Sequence, residues 1–195
     1  VAKSAAPVHP AQTEEIVVTE RIAIFDFDGT LFRSPERPEW WPHQGFWGRL
    51  ETLSPPYVPE RPSAEWYVGT VVAAAKAALS DPKAHACLLT GRIPKFEKRV
   101  RELLANVGIR FDEMHFAAGS STLPFKLGII ERLAEKFPEA TTIEMWEDRQ
   151  EHIGSFEQKI KSLGREPLVH HIKSTPHEFL EDRASKVASR FLTER

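Results

Sequence analysis

The chain has 195 residues, 41% of them apolar and 28% charged, a size and balance that suit a globular domain with a real core and exclude disorder as its main state. The 26 Lys+Arg against 28 Asp+Glu give a net charge of −2, which excludes a surface coated in positive charge for nucleic acid and leaves only local basic patches. The single cysteine, Cys87, excludes an internal disulfide and a Cys-rich zinc site.

Residues 1–20 are rich in Ala, Pro, Thr and Glu without a period and read as a flexible N-terminal lead-in. From Arg21 a rhythm sets in. Residues 22–25 form a short apolar run of buried-strand type that ends at Asp26. Residues 64–79 are Ala- and Val-rich and stop at Ser80-Asp81-Pro82, as a helix does. A second strand is predicted over 86–89; Cys87 lies inside it and reads as a small buried hydrophobe. The spacing of Phe96, Val100, Leu103, Leu104 and Val107 predicts a helix over 94–107, closed by Gly108. A third strand follows over 113–117 and a helix over 124–137. A fourth strand is expected over 142–146, a helix over 152–163 and a fifth strand over 167–172. Thr175-Pro176 reads as the N-cap and first residue of a last helix running to about 192.

Strands that are apolar throughout, alternating with helices, predict an α/β fold: a Rossmann-like three-layer sandwich whose five-stranded, mostly parallel sheet is covered on both faces. One stretch breaks the rhythm. Residues 33–63, between the first strand and the first helix, hold seven of the fifteen prolines and Trp40, Trp41 and Trp47, three of the five tryptophans. Such aromatic content argues for an ordered insertion, a minimal cap over the strand ends, inside a domain spanning 21–195. No apolar run approaches the ~20 residues needed to cross a bilayer. The first residues lack the apolar core of a signal peptide. A reducing, intracellular, cytoplasmic setting without a membrane partner is the expectation.

In parallel sheets ligands sit beyond the carboxyl ends of the strands. The first strand runs into Asp26-Phe27-Asp28-Gly29-Thr30, the second into Thr90-Gly91-Arg92 and the fourth into Glu147-Asp148, while Lys126 lies near the start of the helix before the fourth. Burying clustered carboxylates without a cation is costly. A hard divalent ion such as Mg²⁺ accepts carboxylate and carbonyl oxygen, and Gly29 allows a tight turn with N–H groups facing an anion. Carboxylates, a hydroxyl and a cation together are the inventory for a metal and a phosphoryl group.

Ile24-Phe25-Asp26-Phe27-Asp28-Gly29-Thr30-Leu31 resembles the first motif of the haloacid dehalogenase-like (HAD) superfamily, and Leu88-Leu89-Thr90-Gly91-Arg92 the second; Lys126 and Glu147-Asp148 fall where the third and fourth stand. A closer likeness, to the HAD domain of Swiss Army Knife RNA-repair-like proteins, rests on the run Phe25 to Pro35, the Trp-rich insertion and Trp146-Glu147-Asp148-Arg149 with His152. The resemblance implies a phosphatase using Mg²⁺. Asp26 would be the nucleophile, forming an aspartyl-phosphate. Asp28 would be the general acid and then base, its backbone carbonyl also meeting the metal. Thr90 and Lys126 would hold the transferring oxygens. Asp148 would complete the metal set of Asp26, Asp28 and Asp148, with Glu147 as a ligand or a support beside it. Thr30 would buttress the turn.

Gly91, Arg92, Arg33 and His152 are the candidate substrate contacts; Arg92 as a surface charge and His152 as a helix-end histidine are the plainer readings. His152, one helical turn after Asp148, would orient it or touch substrate. His170 and His171 read as partly buried strand residues. The run Arg92, Lys95, Lys98, Arg99 and Arg101 is locally basic, as a charged outer helix face commonly is. The expected partner is a phosphorylated substrate, a terminal phosphate of RNA or another polynucleotide. A small-metabolite or nucleotide phosphatase, and a binding domain that keeps the fold without turnover, stay open.

Overall fold

The computed structural model describes residues 18–39, 41, 45–118 and 121–178. The lead-in over residues 1–17 and the chain beyond residue 178 lie outside the described residues, as does Trp40.

Five strands form the sheet: β1 (Arg21–Phe25), β2 (Ala84–Thr90), β3 (Glu113–Phe116), β4 (Thr142–Glu147) and β5 (Glu166–His171). Their spatial order is β3-β2-β1-β4-β5, and every pairing is parallel. The mostly parallel sheet expected from sequence is thus wholly parallel. Four helices connect the strands: α1 (Gly69–Ser80), α2 (Glu97–Asn106), α3 (Thr122–Lys136) and α4 (Gln150–Ser162). Alternation along each strand divides the core in two. Ala23, Phe25 and Leu88 pack with Val71 and Ala75 of α1 and Val100 and Leu103 of α2. Ile22, Ile24, Cys87 and Leu89 pack on the other side with Ile129, Ile130 and Leu133 of α3 and Phe156 and Ile160 of α4. Burial, with the Glu113 charge adding to it, pushes the Cys87 thiol up, so it is an inert core residue.

The chain proceeds outward from β1 to β3 and then crosses back to lay β4 on the other flank of β1. That reversal opens a crevice at the carboxyl ends of β1 and β4, the place where open α/β sheets bind ligands. Phe25 pairs with Trp146 at this end, and the Asp26 N–H donates to the Trp146 carbonyl at 3.1 Å, so the residues that follow both strands emerge side by side.

Three elements differ from the sequence expectation. The helix expected over 64–79 is split: a 3₁₀ turn at Ala64–Trp66 stops where Tyr67 bridges Phe32 and the Val68 N–H donates to the Leu31 carbonyl, and α1 begins only at Gly69. Pro94–Phe96 is likewise 3₁₀ and runs into α2. The helix expected from Thr175-Pro176 does not start there, because residues 172–178 run without helix across the strand ends, where the His177 ring stacks on Trp66 (3.6 Å, 10°) and its N–H donates to the Arg33 carbonyl. α3 begins at Thr122, two residues before Pro124, whose missing N–H falls in the first turn, where a helix has no partner for it. Among the described residues no helix is long and apolar enough to cross a membrane.

Ile24 is fully buried in the central strand. Ile24→Ala is expected to destabilise the fold by about 2–5 kcal/mol, read as a lowered denaturation midpoint at unchanged m-value.

Candidate active site

The turn after β1 is built around one carbonyl. The N–H groups of Thr30, Leu31 and Phe32 all donate to the Phe27 oxygen, while the Gly29 N–H donates to that of Phe32. Gly29 has φ +70, and a Cβ built on it would overlap the Asp148 carboxylate, so this position requires glycine both for conformation and for space. Thr30 supports the turn through its backbone; its hydroxyl is buried without a hydrogen-bond partner.

Asp26 leaves β1 on the side covered by α3. Lys126 reaches it from that helix, donating to Asp26 Oδ1 at 2.8 Å and to Glu147 Oε2, at the end of β4, at 2.7 Å. All three side chains are almost wholly buried. Burial by itself would lower the Lys126 pKa, but the charges of Asp26 and Glu147 and their hydrogen bonds prevail and raise it. Burial raises the Asp26 carboxyl well above the usual range; Lys126 opposes this, and the Glu147 and Asp148 charges add to it. Burial and the neighbouring Glu147 charge lift Asp148 to about 6, against the pull of Lys126.

Oxygens of Asp26, Glu147 and Asp148 lie within 4.8 Å of one another. Three carboxylates against one ammonium leave two negative charges in a half-enclosed site, and every donor is a hard oxygen, which fits Mg²⁺. The Asp28 carboxylate stands apart from this trio. It turns the other way, accepting Ser34 Oγ at 2.5 Å and the Arg92 guanidinium at 2.7–3.1 Å, which leaves its backbone carbonyl as the atom expected to meet a metal.

These groups open onto one cavity of about 280 Å³, lined by Asp26, Asp28, Gly29, Gly91, Arg92, Lys126 and Asp148 among the residues expected there. Thr90 is fully buried below it, its hydroxyl accepting the Arg92 N–H at 3.1 Å. Gly91 is pressed on by Thr122, whose methyl would lie 3.0 Å from an added Cβ. Two expected contacts are not brought to the cavity. Arg33 directs Nη1 to the Thr175 carbonyl at 3.5 Å. His152 lies 3.6 Å from Glu147, not against Asp148, and burial lowers its pKa against the opposing Glu147 charge. The His171 Nε2–H donates to the Asp148 carbonyl, 3.0 Å away.

Six lining residues were not among the expected site residues: Ser34, Glu36, Trp47, Thr122, Arg149 and Pro176. Arg149 directly follows Asp148 and is an exposed cation at the mouth; its adjacency to the acidic pair was the available clue. Trp47 is 48% exposed at the rim, whereas Trp41 is buried against Phe46 and Tyr57 and serves packing.

The chain matches, over residues 34–183, the family model described as HAD domain family 1 in Swiss Army Knife RNA repair proteins. That span begins just after the Asp26–Asp28 turn. No curated protein matches the sequence. Among solved structures, a chain in the structure of the Pnkp1/Rnl/Hen1 complex is similar with TM-score 0.52 and 16% identity, covering 88% of this chain and 54% of that one. This chain therefore spans about half the length of that relative. The HAD domain of effector protein Lem4 from Legionella pneumophila, an inactive mutant, is similar with TM-score 0.51 and 13% identity, covering 86% and 92%. At these identities the likeness shows the fold.

Because the metal-free fold holds the Asp148 proton more tightly than an unfolded chain does, ionising this group weighs against the fold as pH rises through about 6. A cation bound to the ionised trio cancels that loss. Mg²⁺ is accordingly expected to raise the melting temperature more at about pH 7.5 than at about pH 5. An equal shift at both, measured by calorimetry, would contradict this placement of the charge.

Proposed function

Because the chain belongs to HAD domain family 1 of the Swiss Army Knife RNA repair proteins, we propose that it is a Mg²⁺-dependent phosphohydrolase that removes terminal phosphates from RNA or another polynucleotide. The observation that carries the reading is Lys126 clasped between Asp26 and Glu147, with Asp148 beside them, in one cavity at the reversal of strand order.

Lys126 occupies Asp26 Oδ1, which leaves Oδ2 to attack phosphorus. The bond from phosphorus to the leaving oxygen breaks as Asp26 Oδ2 bonds to phosphorus, and the leaving oxygen takes its proton from Asp28. Water then attacks the aspartyl-phosphate, gives a proton to Asp28, and the Asp26–phosphorus bond breaks to release phosphate. Two of the three Lys126 protons are spent on carboxylates, so the third is the donor for a phosphoryl oxygen. Thr90, buried beneath the cavity, accepts the Arg92 N–H and so supports the turn that brings Gly91 and Arg92 to the cavity wall. Asp26, Asp148 and the Asp28 carbonyl would hold Mg²⁺, which would supply neutralising charge to the phosphoryl group. Glu147 is the support that fixes Lys126.

For the substrate, the family's description supports a nucleic acid end. So does the rim: Arg149 offers a cation to a flanking phosphate and Trp47 an exposed aromatic face to a base.

Asp26→Asn is expected to reduce hydrolysis to background while the melting temperature stays within a few degrees, since the amide oxygen still accepts from Lys126. Removing Mg²⁺ with a chelator should do the same reversibly. In a panel of end-phosphorylated oligonucleotides, mononucleotides and sugar phosphates, the oligonucleotides are expected to be preferred. Turnover confined to the small compounds would overturn the polynucleotide assignment, and full activity in Asp26→Asn the nucleophile.

A further inference from the structure

The Pro- and Trp-rich segment after β1 lines the cavity with Ser34, Glu36 and Trp47, and it also bears on the cavity through one side chain that it does not itself supply. Arg92, at the end of β2, is 2% exposed. Four of its five N–H directions are accounted for. Nε and Nη2 grip the Asp28 carboxylate at 2.7–3.1 Å, and Nη1 donates to Thr52 Oγ1 at 2.9 Å and to the Trp47 carbonyl at 3.4 Å. The guanidinium lies between two rings, 5.0 Å from the Trp47 centroid and 4.8 Å from that of Phe96. Thr52 is itself fixed. It is fully buried, and its hydroxyl proton goes to the Arg49 carbonyl at 2.7 Å, so its lone pair has one direction in which to receive Arg92.

We infer that Arg92, held in place by Thr52 and Trp47 of the insertion, is a positioning residue for Asp28 and that the insertion serves proton transfer. The distribution of donors on Asp28 carries the argument. Oδ1 accepts Ser34 Oγ, Arg92 Nε and Arg92 Nη2, whereas among the described residues Oδ2 accepts only the shared Nε proton at 2.9 Å. One oxygen is anchored by three donors, and the other keeps a lone pair for exchange with a leaving oxygen or a water in the cavity that Asp28 lines. A guanidinium so committed has little left for a phosphoryl oxygen, in contrast with the exposed Arg149. Its fork geometry sets both the place and the rotation of the carboxylate, which a lysine at this position would not do. The inference rests on the phosphohydrolase reading, and it ascribes to the insertion a role distinct from covering the substrate.

Proton transfer to the leaving group matters most when that group is basic, which separates this role from substrate binding and from folding. The test is steady-state kinetics of the Mg²⁺-loaded wild type, Arg92→Lys and Thr52→Val on a series of substituted phenyl phosphates and an alkyl phosphate. Thr52 is buried 40 positions from Arg92 in sequence, reaches Asp28 only through Arg92, and is absent from the cavity lining. Because Asp28 also takes the proton of the attacking water, kcat contains a step common to all esters, and kcat/KM, which ends at departure of the leaving group, is the quantity read. Both variants are expected to lower kcat/KM on the alkyl ester by at least about tenfold, and Arg92→Lys by about 100-fold, toward the range that acid–base assistance commonly supplies. On p-nitrophenyl phosphate, whose leaving group needs no proton, kcat/KM should fall by less than about threefold in both. A loss of kcat/KM equal across all esters, or a fall in activity that tracks the melting temperature, would each overturn the inference.

If the wild type hydrolyses none of the esters, the clamp is judged from the Arg92 Nε–H resonance, and the phosphohydrolase reading fails only where an end-phosphorylated oligonucleotide is refused as well. A slowly exchanging proton in the wild type that exchanges at least about tenfold faster in Thr52→Val sustains the positioning. Rapid exchange in the wild type overturns it.

Discussion

A buried ammonium shared by two buried carboxylates is the constraint on which the rest of the site depends. Lys126 comes from α3, Asp26 from the end of β1 and Glu147 from β4, so the interaction ties one sheet-covering layer to the crevice between two strands. Taking such charges out of water costs several kcal/mol per ion, and only good geometry with further hydrogen bonds offsets it. Both contacts, at 2.7–2.8 Å, have that geometry. The arrangement nonetheless stays short of neutrality. Asp148 adds a third carboxylate at the cavity wall, its pKa raised first by burial and then by the Glu147 charge. The protein thus builds a place where a divalent cation and an anionic ester relieve a strain already present, which is how electrostatic preorganisation favours a charged reactant.

Asp26 and Asp28 stand two positions apart, yet they belong to different charge systems. The turn centred on the Phe27 carbonyl, with Gly29 in the left-handed region, sends their side chains apart: Asp26 toward α3 and Lys126, Asp28 toward β2, Ser34 and Arg92. Had both faced the same cation, their roles would be hard to separate. One carboxylate is set among groups that govern its charge, the other among groups that govern its direction. The close approach of Gly29 to Asp148 completes the division, since it lets the turn and the end of β4 meet without an intervening side chain.

The layered architecture was legible because its determinants are local. Runs such as 22–25 and 86–89 are apolar on both faces, and the helix periods of α2, α3 and α4 point at the same sheet. The carboxylates and Lys126 were legible by position, because strand ends at a reversal of order are where side chains converge. Residues in segments without a period were not. Nothing in the spacing of Ser34, Trp47 or Thr52 announces that they meet Asp28 and Arg92, because those contacts depend on how the insertion's 3₁₀ turns pack. Tyr67 and Val68 broke an otherwise helical stretch for the same kind of reason: pairing with Leu31 and Phe32 outweighed helix propensity. The residues after Thr175 have a helix-start sequence, but the Trp66–His177 stack and the hydrogen bond to Arg33 hold the chain off that path.

That same return segment explains how a site made largely of loops keeps its shape. After β5 the chain passes back over the strand ends. The Ile172 N–H donates to the Glu147 carbonyl, Ser174 Oγ donates to the Gly29 carbonyl, and the His177 N–H donates to the Arg33 carbonyl at 3.1 Å. Each acceptor belongs to a different part of the site: the end of β4, the turn bearing Asp28, and the entrance to the insertion. A strap that meets all three restrains them relative to one another, the first contact continuing the β4–β5 ladder and the other two lying beyond it. The Trp66–His177 stack, with Phe32 packed on Trp66 at 5.7 Å, anchors the strap's far end in the core beneath the insertion. Loops tied in this way lose in the folded state the freedom that would otherwise have to be removed when substrate binds, so the cost of ordering is met during folding, before any ligand arrives.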